Sequence, residues 1–107
     1  MKVVNTYVPE QLGHDDSGNI VEPGNMKAQM RYAYANIQKV LSQYGATVDN
    51  IVDETLFVTD MNTAFAAAEK CREDVFFGIP IVASTIVHFQ RLTFPRLMIG
   101  IKCIAKV

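Results

Sequence analysis

Apolar positions in this chain change period several times, and each change marks an element. From Met26, the residues Met30, Ala33, Ile37, Val40, Leu41 and Tyr44 return at three- and four-residue steps. That spacing predicts a helix of about five turns with one buried face. Lys27, Arg31, Gln38 and Gln43 take the other side, Asn25 is placed to cap its start and Gly45 to stop it. Residues 51–60, IVDETLFVTD, are short, β-branched and aromatic, and end in the Asp-Met-Asn of a helix start, so they read as a strand. A second helix is expected over residues 63–76, capped by Asn62, with Phe65, Ala68, Cys71 (or the stem of Arg72) and Val75 on its core side. Strict alternation then returns. Ser84, Ile86, His88 and Gln90 face one way against Thr85, Val87 and Phe89, and Met98, Gly100, Lys102 and Ile104 oppose Leu97, Ile99, Ile101, Cys103 and Ala105.

Residues 2–8 are β-rich, and residues 11–21 carry turn chemistry in Asp15, Asp16, Ser17, Gly18 and Asn19 before Ile20 and Val21 resume. Residues 46–50 suit one helical turn capped by Thr47. The order β–β–α–β–α–β–β predicts an α+β fold in a single domain over residues 1–107, a mixed sheet with two helices on one face. The 51–60 strand, flanked by helices, falls in the middle of that sheet. Ser84, Ile86, Met98 and Ile104 are expected on the uncovered face. A chain this small rarely leaves such a face wet, so self-association is expected to bury it and to create clefts between subunits.

Composition narrows the function. At 107 residues, half hydrophobic and a fifth charged, the chain suits one core. Its net charge of −1 is spread without a basic cluster, so no nucleic-acid partner is expected. No apolar run approaches the ~20 residues of a membrane span, and the N-terminus lacks the pattern of a signal peptide. Cys71 and Cys103 form no CxxC pair, which suits reduced thiols in the cytoplasm, with Cys71 as a small buried hydrophobe. His14 beside Asp15 and Asp16 reads as a solvated turn, since further ligand spacing is missing. No metal or cofactor is expected.

Several motifs in order then carry a resemblance. Ala28-Gln29, Asn36, Val40-Leu41, Gly45, Asn50-Ile51-Val52, Phe57-Val58-Thr59-Asp60-Met61 and Phe65, with the closing IGIKCIAKV, resemble the reactive intermediate deaminase (Rid, or YjgF) family over nearly the whole chain. The resemblance implies a chorismate-mutase-like α+β fold and a homotrimer with ligand clefts between subunits. It also implies that the family's first strand, and a cleft aromatic after it, are missing here. Deaminating members hold a substrate carboxylate with an arginine in a PxRS motif. The equivalent segment here is residues 80–85, with Ala83 in the arginine's place, Ser84 matching, and Thr85 where many members carry cysteine. The family's water-orienting glutamate corresponds to Gly100, with Lys102 at the next acidic position, and its SGQ motif to Pro9-Glu10-Gln11.

Losing acid/base help alone costs roughly 10²–10⁴ in rate. The expected function is therefore binding of a small carboxylate or carbonyl metabolite in the inter-subunit clefts, without a recognisable imine deaminase set and with no residue assigned to catalysis. Gln11, Ser84, Thr85 and His88 are the cleft candidates, with Tyr7 or Phe89 as apolar wall. One alternative is hydrolysis of enamines or imines of the 2-aminoacrylate type, with Arg91 or Arg96 replacing the lost arginine. Another is a non-catalytic ligand-binding or regulatory module. Pairing of Glu10 with Lys102 across a cleft is open to the sequence, which offers no geometry for it. Ribonuclease activity, attributed to some relatives, ranks behind these, because the chain supplies no histidine pair, metal cluster or basic groove for RNA cleavage.

Overall fold

The structure, a computed structural model, describes residues 5–22, 24–76, 82–90, 92 and 96–107. Its elements run β1 (Asn5–Leu12), α1 (Met26–Ser42), a 3₁₀ turn (Val48–Asn50), β2 (Ile51–Val58), α2 (Met61–Phe76), β3 (Ala83–His88) and β4 (Ile99–Lys106). The sheet order is β1-β4-β2-β3, with β2 parallel to β3 and the other pairs antiparallel. The expected α+β fold, a mixed sheet with two helices, is the one found, and β2 lies inside it.

Local chemistry sets the boundaries. Asn25 has extended backbone and its Oδ1 accepts the Ala28 amide at 3.0 Å, which starts α1 as expected. Gly45 takes a left-handed φ of 69°, open to a residue without Cβ, and ends the turn after it. Thr47 caps the 3₁₀ turn in a capping box with Asn50. At α2 the cap is Asp60 rather than Asn62: the Thr63 amide donates to Asp60 Oδ1 at 3.1 Å. The second β segment expected near residues 20–21 is reduced to an isolated bridge between His14 and Ile20. β1 instead continues to Leu12, because its partner β4 is long enough to pair with it there. Expectations for residues 2–4, 77–81 and 93–95 lie outside the described residues.

The core forms between the helices and one sheet face. Met30, Ala33, Ile37 and Leu41 of α1 and Ala64, Ala67, Ala68 and Cys71 of α2 meet Val8, Leu56, Val58, Ile99, Ile101, Cys103 and Ala105. Two apolar residues expected there are outside: Tyr44 is 60% and Phe65 is 69% exposed. Tyr44 follows the end of α1, where helical spacing no longer governs it. On α2 the alanines Ala64, Ala67 and Ala68 face inward, which turns Phe65 out. Three residues that apolar periodicity ignores, Gln29, Tyr34 and Asn36, are buried on α1. Gln29 Nε2 donates to the Arg96 carbonyl at 3.0 Å, and its Oε1 accepts the Met98 amide at 2.8 Å. Asn36 Nδ2 donates to the carbonyls of Leu12 and His14 at 2.8 and 3.1 Å. Both amides satisfy backbone at sheet ends and tie those ends to α1.

Candidate functional site

Register separates the two faces of the sheet. Glu54, Leu56 and Val58 of β2 lie beside Ser84, Ile86 and His88 of β3 and Cys103, Ile101 and Ile99 of β4, on the helix-covered face. Thr55 and Phe57 lie beside Thr85 and Val87, and beside Lys102 and Gly100, on the open face. Ser84 and Ile86 therefore point to the helix-covered side rather than to the open face where they were expected, Ile86 half-buried and Ser84 exposed on the edge strand. The parity of a strand decides this, since adjacent residues point to opposite sides.

The open face carries a cleft of about 540 Å³ whose lining includes Tyr7, Pro9, Asp53, Thr55, Lys102 and Ile104. Tyr7 stands 72% exposed beside it. The Lys102 ammonium lies over the Phe57 ring, 5.4 Å from its centroid, and Phe57 packs on Phe89 with centroids 5.5 Å apart. Next to Lys102, Glu10 lies over Gly100: a Cβ built on Gly100 would stand 2.6 Å from Glu10 Cδ and Oε2. Burial pushes the Glu10 carboxyl above its ordinary range, and the positive charge of Lys102 pulls it partly back. A cation, an acid and an aromatic surface thus share one side of the sheet, a set able to hold an anionic or polarised oxygen and to exchange a proton beside it.

Under the helices is a second polar centre, and sequence reasoning missed it. Glu54 is 1% exposed in the middle of β2. Its carboxylate accepts from Tyr34 Oη at 2.9 Å, Arg72 Nε at 2.7 Å and Ser84 Oγ at 3.0 Å. Arg72 Nη2 also donates to the Val82 carbonyl at 3.4 Å, and its guanidinium lies 5.8 Å from the Phe76 ring centroid. Burial, and after it the Glu54 charge, push the Tyr34 hydroxyl above the ordinary tyrosine range. A signal existed: Glu54 shares the parity of Leu56 and Val58 in a strand expected to be central, and an acid there requires buried donors.

A family model described as Endoribonuclease L-PSP matches residues 4–107. The chain belongs to that family, the Rid/YjgF proteins. The Rid protein YyfA of Yersinia pestis, described as of unknown function, superposes with a TM-score of 0.87 at 31% identity, covering 96% of this chain and 80% of that one. Rv2704 of Mycobacterium tuberculosis, a member of the YjgF/YER057c/UK114 family, gives 0.79 at 25% identity, covering 96% and 79%. Yeast Mmf1 shares the fold, with a TM-score of 0.84 at 22% identity over 94% of this chain and 78% of its own.

In this Rid/YjgF chain the site residues expected from sequence do not converge. Thr85 is on the open face, Ser84 and His88 on the other. Ser84 is spent on Glu54. Gln11 stands opposite Ile101, in the register of the covered face, and its Nε2 closes on the Pro9 carbonyl at 3.0 Å. Arg96 is exposed in a turn, its carbonyl held by Gln29. Arg91 lies outside the described residues. Of the two wall candidates, Tyr7 lines the cleft and Phe89 stacks on Phe57 beside it.

Proposed function

We propose that this Rid/YjgF protein is a homotrimer whose subunits bring their open sheet faces together and bind a small carboxylate or carbonyl metabolite between them. The supporting observation is the cleft on the open face, where Lys102 supplies positive charge beside Tyr7, Thr55 and Ile104. A carboxylate or polarised carbonyl suits a cation set against apolar walls, because partial desolvation strengthens their attraction. The open face also leaves Phe57, Val87 and Phe89 without helices over them, which favours a second copy as their cover. The buried free thiols Cys71 and Cys103 agree with a cytoplasmic setting.

The test pairs sedimentation with thermal denaturation. A trimeric mass and a rise in Tm with small 2-oxo or 2-imino carboxylates, abolished by Lys102→Met, is the expected result. A monomer at micromolar concentration with no carboxylate stabilisation would overturn the reading. Stabilisation without turnover of any imine would favour the ligand-binding or regulatory form of it, and ammonia release would favour the hydrolase.

A further inference from the structure

Two opposite charges on the open face stand near one another without meeting. Thr55 of β2 pairs opposite Lys102 of β4 and Asp53 opposite Ile104, which makes Asp53 and Lys102 diagonal neighbours on one side of the sheet. Diagonal positions across an antiparallel ladder are about 7–8 Å apart, so an ion pair forms only where both side chains lean together. Here they do not. The Lys102 ammonium lies over the Phe57 ring, 5.4 Å from its centroid, and Phe57 is farther along β2, beyond Thr55. Among the described residues neither Asp53 nor Lys102 closes an ion pair. Thr55 lies between them, half-buried, with a hydroxyl able to donate or accept. A second acid, Glu10, is on the other side of Lys102. β1 spends one residue more than β4 between Val8 and Gln11, so Pro9 and Glu10 together oppose Lys102, and the Glu10 carboxyl turns over Gly100. Asp53 is thereby the acid of the cleft, which it lines together with Lys102 and Thr55. Tyr7 pairs opposite Ile104 next to Asp53, and the two give that end of the cleft an apolar wall.

We infer that the cleft holds an α-amino acid with an apolar side chain, its carboxylate on Lys102, its ammonium on Asp53 and its side chain along Tyr7 and Ile104. This rests on the small-carboxylate reading above and names the class of molecule. The molecule is held and not converted, so no bond is made or broken. Its dimensions fit the separation of the charges. The amino nitrogen and a carboxylate oxygen of an α-amino acid are about 3 Å apart, and a charge-assisted hydrogen bond of about 2.8 Å at each end extends the span to about 8–9 Å. Two side chains that start from diagonal positions, one of them a long and freely turning lysine, meet that span without drawing together. A 2-oxo acid of the same skeleton would set its carbonyl oxygen against the Asp53 carboxylate, acceptor against acceptor. An amine of the same skeleton would leave Lys102 without an anion. The volume of about 540 Å³ leaves room for a branched side chain beyond the two charged ends.

Isothermal titration calorimetry on the full chain tests this with three molecules of one carbon skeleton. They are L-leucine, its 2-oxo acid, which lacks the ammonium, and isopentylamine, which lacks the carboxylate. L-Leucine is expected to bind about tenfold or more tighter than either of the others, since each of them leaves one charged group of the cleft without its partner. Asp53→Asn, nearly isosteric, should bring L-leucine down to the level of the oxo acid and leave the oxo acid no weaker. Lys102→Met should weaken L-leucine and the oxo acid alike and leave the amine unchanged. The comparison of the three molecules on the wild-type protein stands whether or not a variant folds. An oxo acid that binds as tightly as L-leucine overturns this inference and leaves the metabolite reading standing. A preference for L-leucine that survives Asp53→Asn and is lost in Glu10→Gln overturns the placement of the ammonium on Asp53. An amine as tight as L-leucine, with Lys102→Met without effect, overturns the inference and the carboxylate reading with it. A protein that binds none of the three while smaller 2-oxo carboxylates still raise its Tm overturns the inference alone, and one that nothing stabilises overturns both.

Discussion

Arg72 Nε lies 2.7 Å from Glu54 Oε1, and the Glu54 side chain has no exposed surface while that of Arg72 keeps 22%. The pair joins α2 to the middle of the sheet, with Tyr34 adding a donor from α1 and Ser84 one from β3. Such a pair adds little net stability against a well-packed apolar replacement, but each half depends on the other. Arg72→Met should therefore cost about 3–5 kcal/mol, because Glu54 keeps its burial and loses its countercharge. Arg72→Met with Glu54→Gln should cost much less than the sum of the single changes. Urea denaturation of the cycle checks this, and additive losses would show that the pair is uncoupled.

Gln29 presents a simpler dependence. It is wholly buried and bonds the Arg96 carbonyl and the Met98 amide just before β4. Gln29→Leu keeps the volume roughly and strands both backbone groups, at about 1–3 kcal/mol each. Amide exchange at Met98 should quicken with the loss in global stability, and an unchanged Met98 rate would sink the assignment.

The fold was legible because its signals are periodic. The α1 spacing, the alternation in β3 and β4 and the caps at Asn25 and Thr47 each depend on neighbouring residues, and each reappears in the structure. Phe65 misled because three alanines on α2 outcompete one aromatic for the sheet, a matter of how close a helix can approach. The site was less legible because it depends on contacts across strands. Ser84, Thr85 and His88 are near in sequence, yet parity divides them between faces. Glu10 reaches its place through an extra residue in β1, and nothing in PEQL marks a bulge without the partner strand in view.

Both cysteines should be protected by folding. Burial raises the Cys103 thiol from 9.0 to about 12, with the Glu54 charge adding to it, and burial also raises Cys71 against the opposing pull of Arg31. The native protein should react slowly with iodoacetamide at pH 8.5, and both thiols should become reactive in denaturant. The sign of the linkage follows from the raised values: the neutral thiol favours the fold fully below pH 9.0, and that contribution fades as pH rises towards about 12. Tyr34 acts in the same direction above its ordinary 10.0. Stability should therefore fall on the alkaline side, and Tyr34→Phe should lessen the slope there. A flat profile from pH 8.5 to 11 would refute the protected state.

Gly13 tests how tightly α1 sits on the turn after β1. A Cβ there would meet Gln29 Cβ at 2.8 Å and the Gln29 backbone at 3.0 Å. Backbone cannot swing aside as a side-chain tip can, so Gly13→Ala should destabilise by about 1–3 kcal/mol. At Gly100 the obstacle is the flexible end of Glu10, and the same substitution should leave stability within about 0.5 kcal/mol. Equal losses at both positions, measured by thermal melting, would contradict the distinction.

The proposed association makes opposite demands on two apolar residues. Val87 is on the open face beside Phe57, in the surface that a second copy would cover. Phe65 is 69% exposed on the outer side of α2, away from the sheet. Val87→Asp would bury a carboxylate without a donor, a cost of several kcal/mol borne mainly by the assembly, roughly a hundredfold or more in the dissociation constant. Phe65→Asp should leave the mass in solution unchanged and improve solubility. Sedimentation velocity across a dilution series separates them. Dissociation by Phe65→Asp with an intact Val87→Asp assembly would place the contact on the helices and remove the open-face cleft from between subunits.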